Sequence, residues 1–478
     1  MAKVIPFFYF CNIEMSFFGF FSRFLAFFCW FDYLYSLKID YLYLEIKGAL
    51  TSMEMLMQYI WEYRLWNPAT LSTNDGRRVR IIDPGRRNRD AGPDFFNAKI
   101  DIDGTTWVGN VEIHYRASDW HRHGHDRDKA YDSVILHVVD KDDAPVYRSD
   151  GQLIPQMVMH CSPHFNERYA QLVGAPAELP CKAQIRALDS VGVAEWVQAM
   201  SLERLIAKGR RVEVLYEAFR GNWEQICFVT FARNLGFGTN SDAFELLAKS
   251  VPLQLMHKHS DSLFQLEALL FGQSGLLDGP NPGGDAYFDQ LAREYAFLRT
   301  KYSLRRADGM VWKSFRMRPQ NFPWRRIALL AHYVEGGFRL MGELLEADSE
   351  EALRRLFTVS LSGYWSTHYN FSHPTAECGT AISKSMIDVI LINTVAPLYY
   401  VYGTKTGNYE LVQRAIDLLE GLRPESNRVV NLFVAAGMKV DSALASQAVL
   451  QIYNEYCLQR KCLFCRIGRK ILRAANSE

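Results

Sequence analysis

Residues 93–115 read PDFFNAKIDIDGTTWVGNVEIHY, and this stretch decides the fold of the region around it. Asp103-Gly104 separates two runs in which apolar and polar residues alternate, a pattern that predicts a tight turn between two β-strands. Because side chains alternate along a strand, Glu112 and His114 share one face of the second strand. The hairpin is expected to bring Asp94 toward Glu112, and two converging carboxylates can hold a hard divalent cation.

The segments on either side of the hairpin predict a small mixed α/β core. Residues 55–65 carry apolar side chains at helical spacing, and Val79 to Ile82 is typical of a strand. Ser118 to Tyr131 is polar and predicted to be partly helical, and Ser133 to Val139 alternates like another strand. The predicted order is helix, three strands, helix, strand, with edge strands from Val146 to Met159 as an optional addition.

Composition restricts the classes of function. The chain has 478 residues, 49% of them apolar and 22% charged, which is typical of a folded protein with two or three cores. A net charge of +1 excludes a generally basic nucleic-acid coat protein, so phosphate binding would need local clusters. Nine cysteines lack the density of a secreted disulfide scaffold, which predicts a reducing cytoplasm. No P-loop, Gly-x-Ser-x-Gly elbow or dinucleotide fingerprint occurs, so we expect no nucleotide cofactor.

The chain divides into three predicted segments: an aromatic-rich extension at 1–52, an α/β domain at 53–165, and a helical domain at 166–478 that ends in cysteines. For the extension, a misassigned start near Met53 or Met55 is favoured over a membrane anchor or a packed helix, because charges interrupt its apolar run. Membrane association is therefore expected only if the extension is translated. The predicted helices of the third segment are Val191 to Glu217, Trp223 to Leu235, Ala243 to Leu247, Phe264 to Leu270, Phe288 to Leu298 and Ile327 to Leu345.

The α/β segment resembles the core of the PD-(D/E)XK nuclease superfamily. The likeness is carried by Pro93-Asp94 on the second strand and Glu112-Ile113-His114 on the third. The resemblance implies that Asp94 and Glu112 ligate magnesium or manganese. In that superfamily a lysine two residues after the second acid helps to activate water, whereas this chain has His114 there. Histidine can act as a base or a ligand near neutral pH. Glu62 on the first helix is a candidate for a further acid.

A larger part of the chain, from about Met55 onward, is similar to a bacterial family known as domain of unknown function 2851. The matching motifs are Ala91 to Phe95, Gly109 to His114, Ser118 to Trp120, His123 to His125, Val134 to Val139 and Tyr456 to Cys465. This resemblance implies a family and no activity.

Basic and histidine residues surround the acids in the sequence. Arg86, Arg87 and Arg89 precede Asp94, and guanidinium groups suit phosphate contacts, although many such runs are solvated loops. His123 and His125 are candidates for handling phosphate or water. A zinc site that combines His121, His125 and a third ligand is an alternative, as is a structural loop.

Three cysteines near the end, Cys457, Cys462 and Cys465, form the pattern C-x4-C-x2-C. Zinc and iron-sulfur clusters are both held by such thiolates, but a fourth ligand is needed, and the candidates are Cys378, His373 and Cys181. Buried, unligated thiols are the alternative. Separately, Arg316 to Arg326 mixes rings with arginines, as nucleic-acid grooves do, although a loop entering a helix explains it equally simply.

Two functional hypotheses follow. The first is a magnesium- or manganese-dependent nuclease that hydrolyses phosphodiester bonds of DNA or RNA, with Asp94, Glu112 and His114 as catalytic residues. The second is a non-catalytic module that binds nucleic acid or protein on a degenerate nuclease core. The two retained acids favour the first hypothesis, and the replacement of lysine by His114 favours the second.

Overall fold

The computed structural model describes residues 53–66, 71–88, 90–160, 163–175, 178–188, 190–371, 374–375 and 378–473. These residues belong to two compact units: a sheet unit that extends to Gly174 and a helical unit from Ala175 to Arg473. The predictions made for residues 1–52 fall outside the described residues.

The sheet unit consists of a mixed six-stranded sheet and short helices. Its elements are helix α1 at residues 53–62, then β1 (Val79–Asp83), β2 (Arg86–Arg87), β3 (Phe95–Ile102), β4 (Thr105–Arg116), α2 (Asp119–Arg122), β5 (Val134–Lys141), β6 (Gln156–Val158) and α3 (Pro163–Gly174). The strands lie in the order β1-β3-β4-β5-β6, with β2 paired to β3. The α3 helix joins this unit through Phe165, whose ring lies 6.2 Å from that of Tyr59 on α1.

The β3–β4 hairpin has the turn that the sequence predicts. Ile102 pairs with Thr105, which leaves Asp103 and Gly104 as the two turn residues. Their φ angles are 52° and 85°, the left-handed values that a type I′ turn requires at both positions. The hairpin prediction is confirmed, because the Asp-Gly pair tolerates the backbone twist that the strands impose.

Strand β4 lies at the centre of the sheet, antiparallel to β3 and parallel to β5. A parallel pair needs a crossover connection, and here it contains α2 and two 3-10 turns, His125–Arg127 and Lys129–Tyr131. Residues 111–114 are all buried, since β4 is covered on both faces. The crossover thus carries the histidine-rich segment over the strand that contains Glu112.

The helical unit has fifteen described α-helices, most of which contribute side chains to one large apolar cluster. They are α4 (Ser190–Ala218), α5 (Trp223–Leu235), α6 (Ser241–Ser250), α7 (Leu253–His257), α8 (Leu263–Ser274), α9 (Ala286–Tyr302), α10 (Pro323–Val334), α11 (Leu340–Glu346), α12 (Glu350–Leu356), α13 (Lys384–Ile390), α14 (Ala396–Thr406), α15 (Tyr409–Gly421), α16 (Arg428–Ala435), α17 (Ala443–Ile452) and α18 (Arg466–Arg473). An α/β part followed by a large helical part is therefore confirmed, while the nuclease-like assignment of the sheet remains a prediction.

One predicted helix of this unit is divided in two, and another helical stretch is apolar enough to be compared with a membrane span. The single helix predicted from Ile327 to Leu345 is wrong: Gly336 and Gly337, with φ of 80° and 97°, break it into α10 and α11. Helices α13 and α14 are joined by a π-helical turn, Leu391–Val395, into one helical stretch from Lys384 to Thr406. This stretch is long and apolar enough to span a membrane by length and composition. However, 67% of its apolar window is buried, as in a core helix.

Candidate metal centre in the sheet unit

The structure brings Asp94 and Glu112 together. Asp94 lies immediately before β3 rather than on it, and Glu112 lies in the middle of β4. The backbone N–H of Asp94 donates to Oε2 of Glu112 at 2.9 Å, and the N–H of Ile113 donates to Oδ2 of Asp94 at 3.0 Å. Each carboxylate is thus held by the backbone of the neighbouring segment, which fixes both where the hairpin begins.

A third acid, Glu54 on α1, completes a group that we call the acid cluster: Glu54, Asp94 and Glu112. On the same helix, Gln58 donates from Nε2 to Oδ1 of Asp94 at 2.8 Å. The sequence analysis named Glu62, but that carboxylate pairs with Arg87 at 3.1 Å. Glu54, Gln58 and Glu62 repeat every four residues, so one polar stripe of α1 faces the acids and Arg87. That stripe was the sequence signal for Glu54.

The acid cluster is electrostatically unfavourable when all three groups are ionised. Burial, together with the charge of Glu112, raises the pKa of Asp94 to about 8. Burial likewise raises the pKa of Glu112 to about 8, and the charge of Glu54 adds to it. The pKa of Glu54 is also raised to about 8, by burial and then by Asp94. Among the described residues, no lysine or arginine forms an ion pair with Asp94 or Glu112.

His114 is buried beside the acid cluster. Its Nδ1 lies 2.8 Å from Nε2 of His137, and its Nε2 lies 3.2 Å from Nδ1 of His123. The same Nε2 is 3.5 Å from Oε1 of Glu112. Burial lowers the pKa of His114 well below its ordinary value, with His137 contributing next. The imidazole is therefore neutral at pH 7, and both of its ring nitrogens already face other groups.

Three imidazoles converge next to Glu112 and form what we call the histidine group: His114, His123 and His125. One ligand atom from each lies within 4.8 Å of the others, as a metal ion would require. His125 also places Nε2 3.4 Å from Oε1 of Glu112. His121, which the sequence paired with His125 as an alternative zinc site, is not in this group, and its Nε2 lies 3.0 Å from the carbonyl oxygen of Pro145.

The predicted phosphate-binding arginines lie in different surroundings. Arg87 donates to Oε2 of Glu62 at 3.1 Å and to Oε1 of Gln58 at 2.8 Å. Arg86 is exposed on β2, and Arg89 lies outside the described residues. Arg87 is thus anchored to α1 beside the acids, while Arg86 is accessible to solvent.

The three candidates for a fourth ligand of the C-terminal cysteines lie in different places. Oγ1 of Thr375 lies 3.1 Å from Sγ of Cys378, and the backbone N–H of Cys378 donates to the carbonyl oxygen of Ser366 at 2.9 Å. Cys181 instead lies near the C-terminal cysteines, because its pKa is raised first by burial and then by Cys465 and Cys462. His373 lies outside the described residues.

Fold and site together define a mixed α/β domain with buried acids and histidines at the start of a central hairpin, joined to a helical unit. A family model described as "Protein of unknown function (DUF2851)" matches residues 54–428, and the chain belongs to that family. The match begins at Glu54, the helix acid of the cluster. Neither the curated proteins nor the solved structures contained a match to this chain.

Proposed function

We propose that the sheet unit is a divalent-metal-dependent phosphodiesterase, a nuclease that acts on DNA or RNA. The observation that carries this proposal is the acid cluster. Asp94 and Glu112 accept hydrogen bonds from each other's backbone segments, Glu54 is close enough for its charge to act on Glu112, and each of the three has its pKa raised to about 8. Leaving such groups buried without a countercharge is costly, and a bound cation removes that cost.

The donor set suits magnesium or manganese. Carboxylate oxygens are the ligands of hard cations, and neighbouring imidazoles shift the preference toward manganese. A bound divalent cation would stabilise charge on the scissile phosphate and acidify a water molecule. Gln58 and the backbone N–H of Ile113 orient Asp94, while the N–H of Asp94 orients Glu112.

The histidines supply neutral bases next to the acids. His114 occupies the position where the resembling nucleases have lysine, but it is bonded on both sides by His137 and His123. Burial lowers the pKa of His125, whose Nε2 lies 3.4 Å from Oε1 of Glu112. The ring of His125 stacks on that of Tyr131, with 3.7 Å between the ring centroids. In this proposal His125 accepts the proton of the attacking water, while His114, engaged by His137 and His123, packs beside Glu112.

The test is cleavage of labelled single- and double-stranded DNA and RNA by the full chain, with Mg²⁺ or Mn²⁺ added after chelation. Asp94→Asn and Glu112→Gln should each reduce the rate by about 100-fold or more, the scale of removing a group that stabilises the transition state. The matched control is Glu62→Gln, a change of the same kind on α1 at a carboxylate paired with Arg87. Cleavage that survives both substitutions would remove this function.

A second candidate is a non-catalytic module that binds nucleic acid or protein on a degenerate core. It is favoured by one observation, the burial of His114 with both ring nitrogens engaged. If this candidate is correct, the wild-type protein binds labelled strands in a gel-shift assay and cleaves none of them with any metal. The Asp94→Asn variant should then bind the strands equally well.

A further inference from the structure

We propose that Cys181, Cys457, Cys462 and Cys465 of the helical unit ligate an iron-sulfur cluster. All four cysteines are free and buried. We call them the thiol group. This inference concerns a different unit from the acid cluster and does not depend on the phosphodiesterase proposal.

A compact loop gathers the three C-terminal members. The N–H of Arg460 donates to the carbonyl oxygen of Cys457 at 3.2 Å, and the N–H of Cys465 donates to that of Lys461 at 3.2 Å. Arg460 has a φ of 52°, which reverses the chain between the first two cysteines. Cysteines spaced in this way would not converge on an unbroken helix, and this turn removes that difficulty.

The fourth member is brought to this loop from the segment that precedes α4. The guanidinium of Arg460 donates to the carbonyl oxygen of Ala175 at 2.9 Å, which ties the loop to the chain ahead of Cys181. After burial, the neighbouring Cys465 and Cys462 raise the pKa of the Cys181 thiol further, and Cys465 and Cys181 do the same for Cys457. Together with the Arg460 contact, this makes Cys181 a neighbour of the C-terminal cysteines.

The described sulfurs are not as close together as the ligands of a single zinc ion would be. Four thiolates at about 2.3 Å from one zinc are only about 3.8 Å from each other. Among the described residues, no three cysteine sulfurs lie within 4.8 Å of one another. A cluster body holds its cysteine ligands farther apart, because each thiolate binds a different iron atom or a different side of the cluster.

The surroundings also suit an anionic sulfur cluster. The backbone N–H groups of Ile467 and Gly468, at the start of α18, point toward Cys465 and oppose the effect of burial on its pKa. The buried indole N–H of Trp196 is aimed at the same thiol and has no fully formed hydrogen bond. Gly468 lies so close that an added Cβ would be 2.2 Å from the carbonyl oxygen of Cys462. N–H groups directed at cluster sulfurs are a usual means of stabilising reduced clusters.

The test is anaerobic purification of the full chain, followed by iron, acid-labile sulfide and zinc analysis and visible absorption. We expect iron and sulfide in equal amounts and a broad visible band, retained after reconstitution with ferrous iron and sulfide. Cys181→Ser and Cys465→Ser should lose more than about half of the iron. Cys378→Ser and Cys227→Ser, at buried free thiols outside the group, should retain it.

The wild-type protein decides the matter even if a variant fails to fold. Wild-type chain with stoichiometric zinc and no sulfide, or with no metal after anaerobic reconstitution, overturns the proposal. Iron content unchanged in Cys181→Ser, with Cys378→Ser depleted, would overturn the ligand set.

A separate observation, in a cleft of about 850 Å³ in the helical unit, carries a second proposal. The lining includes Arg325 and Arg326, which are only 3% and 4% exposed. Neither guanidinium has a carboxylate partner in the described part of the chain: Arg325 donates to backbone carbonyls, including that of His368 at 3.1 Å, and Arg326 donates to Asn321 at 2.5 Å. We infer that this cleft binds a phosphate-bearing ligand.

The charge balance of the cleft supports this second inference. Its other cations are Arg318, Lys384 and Arg423, while its acids are engaged elsewhere: Asp388 pairs with Arg354, and Glu425 accepts from Gln447. The Nε of Arg326 is buried and has no hydrogen-bond partner in the described structure. The segment from Arg316 to Arg326 leads into α10, as one of its sequence interpretations predicts, and several of its polar side chains line the cleft.

Calorimetric titration with pyrophosphate and with a short phosphorylated single-stranded DNA tests the inference and separates a small phosphorylated ligand from a strand. Wild-type chain should bind at least one probe, and Arg326→Met should weaken it by about 10-fold or more. If Arg326→Met does not fold, Arg423→Gln at the exposed rim provides the second test, and it should also weaken binding. Arg220→Gln, outside the cleft, should leave binding unchanged. Absence of binding by wild-type protein to both probes overturns the inference.

Discussion

The charges of Asp94 and Glu112 in the sheet unit and of Glu245 in the helical unit are compensated differently. In the sheet unit, Asp94 and Glu112 lie together with raised pKa values and no lysine or arginine pairing with them in the described structure. In the helical unit, Glu245 is also largely buried but accepts from Arg211 at 2.6 Å and Arg233 at 2.8 Å. Although burial opposes it, Lys249 and these arginines hold the pKa of Glu245 below its ordinary value.

This contrast separates stabilising charge from charge that is available for chemistry. A paired acid such as Glu245 is satisfied by the fold itself. The acid cluster is not, and uncompensated buried carboxylates with perturbed pKa values are typical of functional sites. The predictions below compare the two units, and hydrogen exchange followed by mass spectrometry reports on each unit through its own peptides.

The largest effect is expected in the apolar core of the helical unit. Phe271 is fully buried, with its ring 5.2 Å from Trp365 and 5.0 Å from Phe371. Phe271→Ala should lower the free energy of unfolding in α8 peptides by about 3–5 kcal/mol, because a cavity remains. Asp94→Asn, in contrast, should not destabilise β4 in metal-free protein at pH 8. A loss above about 1 kcal/mol there would contradict the view that the acids oppose folding.

Metal binding should stabilise the sheet unit alone. Mn²⁺ at about 100 times its dissociation constant should add about 2.7 kcal/mol to the protection of β4 and β5 peptides, since only the folded state binds it. Asp94→Asn should abolish this gain, and Glu62→Gln should keep it. Equal protection of α8 peptides would mean that the metal acts at another place.

Stability of the metal-free sheet unit should fall as pH rises from about 6.5 to 8. The folded acid cluster keeps protons up to a pKa of about 8, whereas the unfolded carboxyls have already lost theirs. Folding then binds protons, so stability decreases with pH by on the order of 1 kcal/mol per unit. Below pH 6.5 the lowered pKa values of His114 and His137 act in the opposite direction, because the unfolded imidazoles take up protons.

The measurement is exchange in β4 peptides of chelated protein at pH values between 6.5 and 8. Correction for the intrinsic exchange rate isolates the stability term. Asp94→Asn and Glu112→Gln should each flatten the slope. If the stability of the wild-type sheet unit instead increases with pH over this range, the acids are ionised and their charges are stabilised by the fold.

The smallest effect is expected for the carboxylate that the fold has paired. Glu62 and Arg87 form an ion pair at 3.1 Å with side chains 31% and 15% exposed. Glu62→Gln should change the stability of the sheet unit by about 0.5 kcal/mol or less, since partly exposed pairs contribute little. A loss above about 2 kcal/mol would show instead that the Glu62–Arg87 pair is a strong stabilising interaction.

Local patterns were sufficient for much of the architecture. The Asp103-Gly104 turn, the alternation in β4 and β5, and the long helices α4 and α5 follow from preferences that act over a few residues. The break between α10 and α11 was missed, because a pair of glycines inside a helical pattern lowers its stability without forbidding it.

The chain by itself determined where the acids and cysteines lie along the hairpin and the C-terminal loop, because those groups are close in sequence. Only the tertiary structure decided that Glu54 rather than Glu62 faces Asp94, and that Cys181 rather than Cys378 joins Cys457, Cys462 and Cys465. It also selected His114 over His121 as the partner of His123 and His125. Such choices depend on how a helix rotates and where a distant segment packs, and these are set by burial of the whole surface rather than by spacing along the chain.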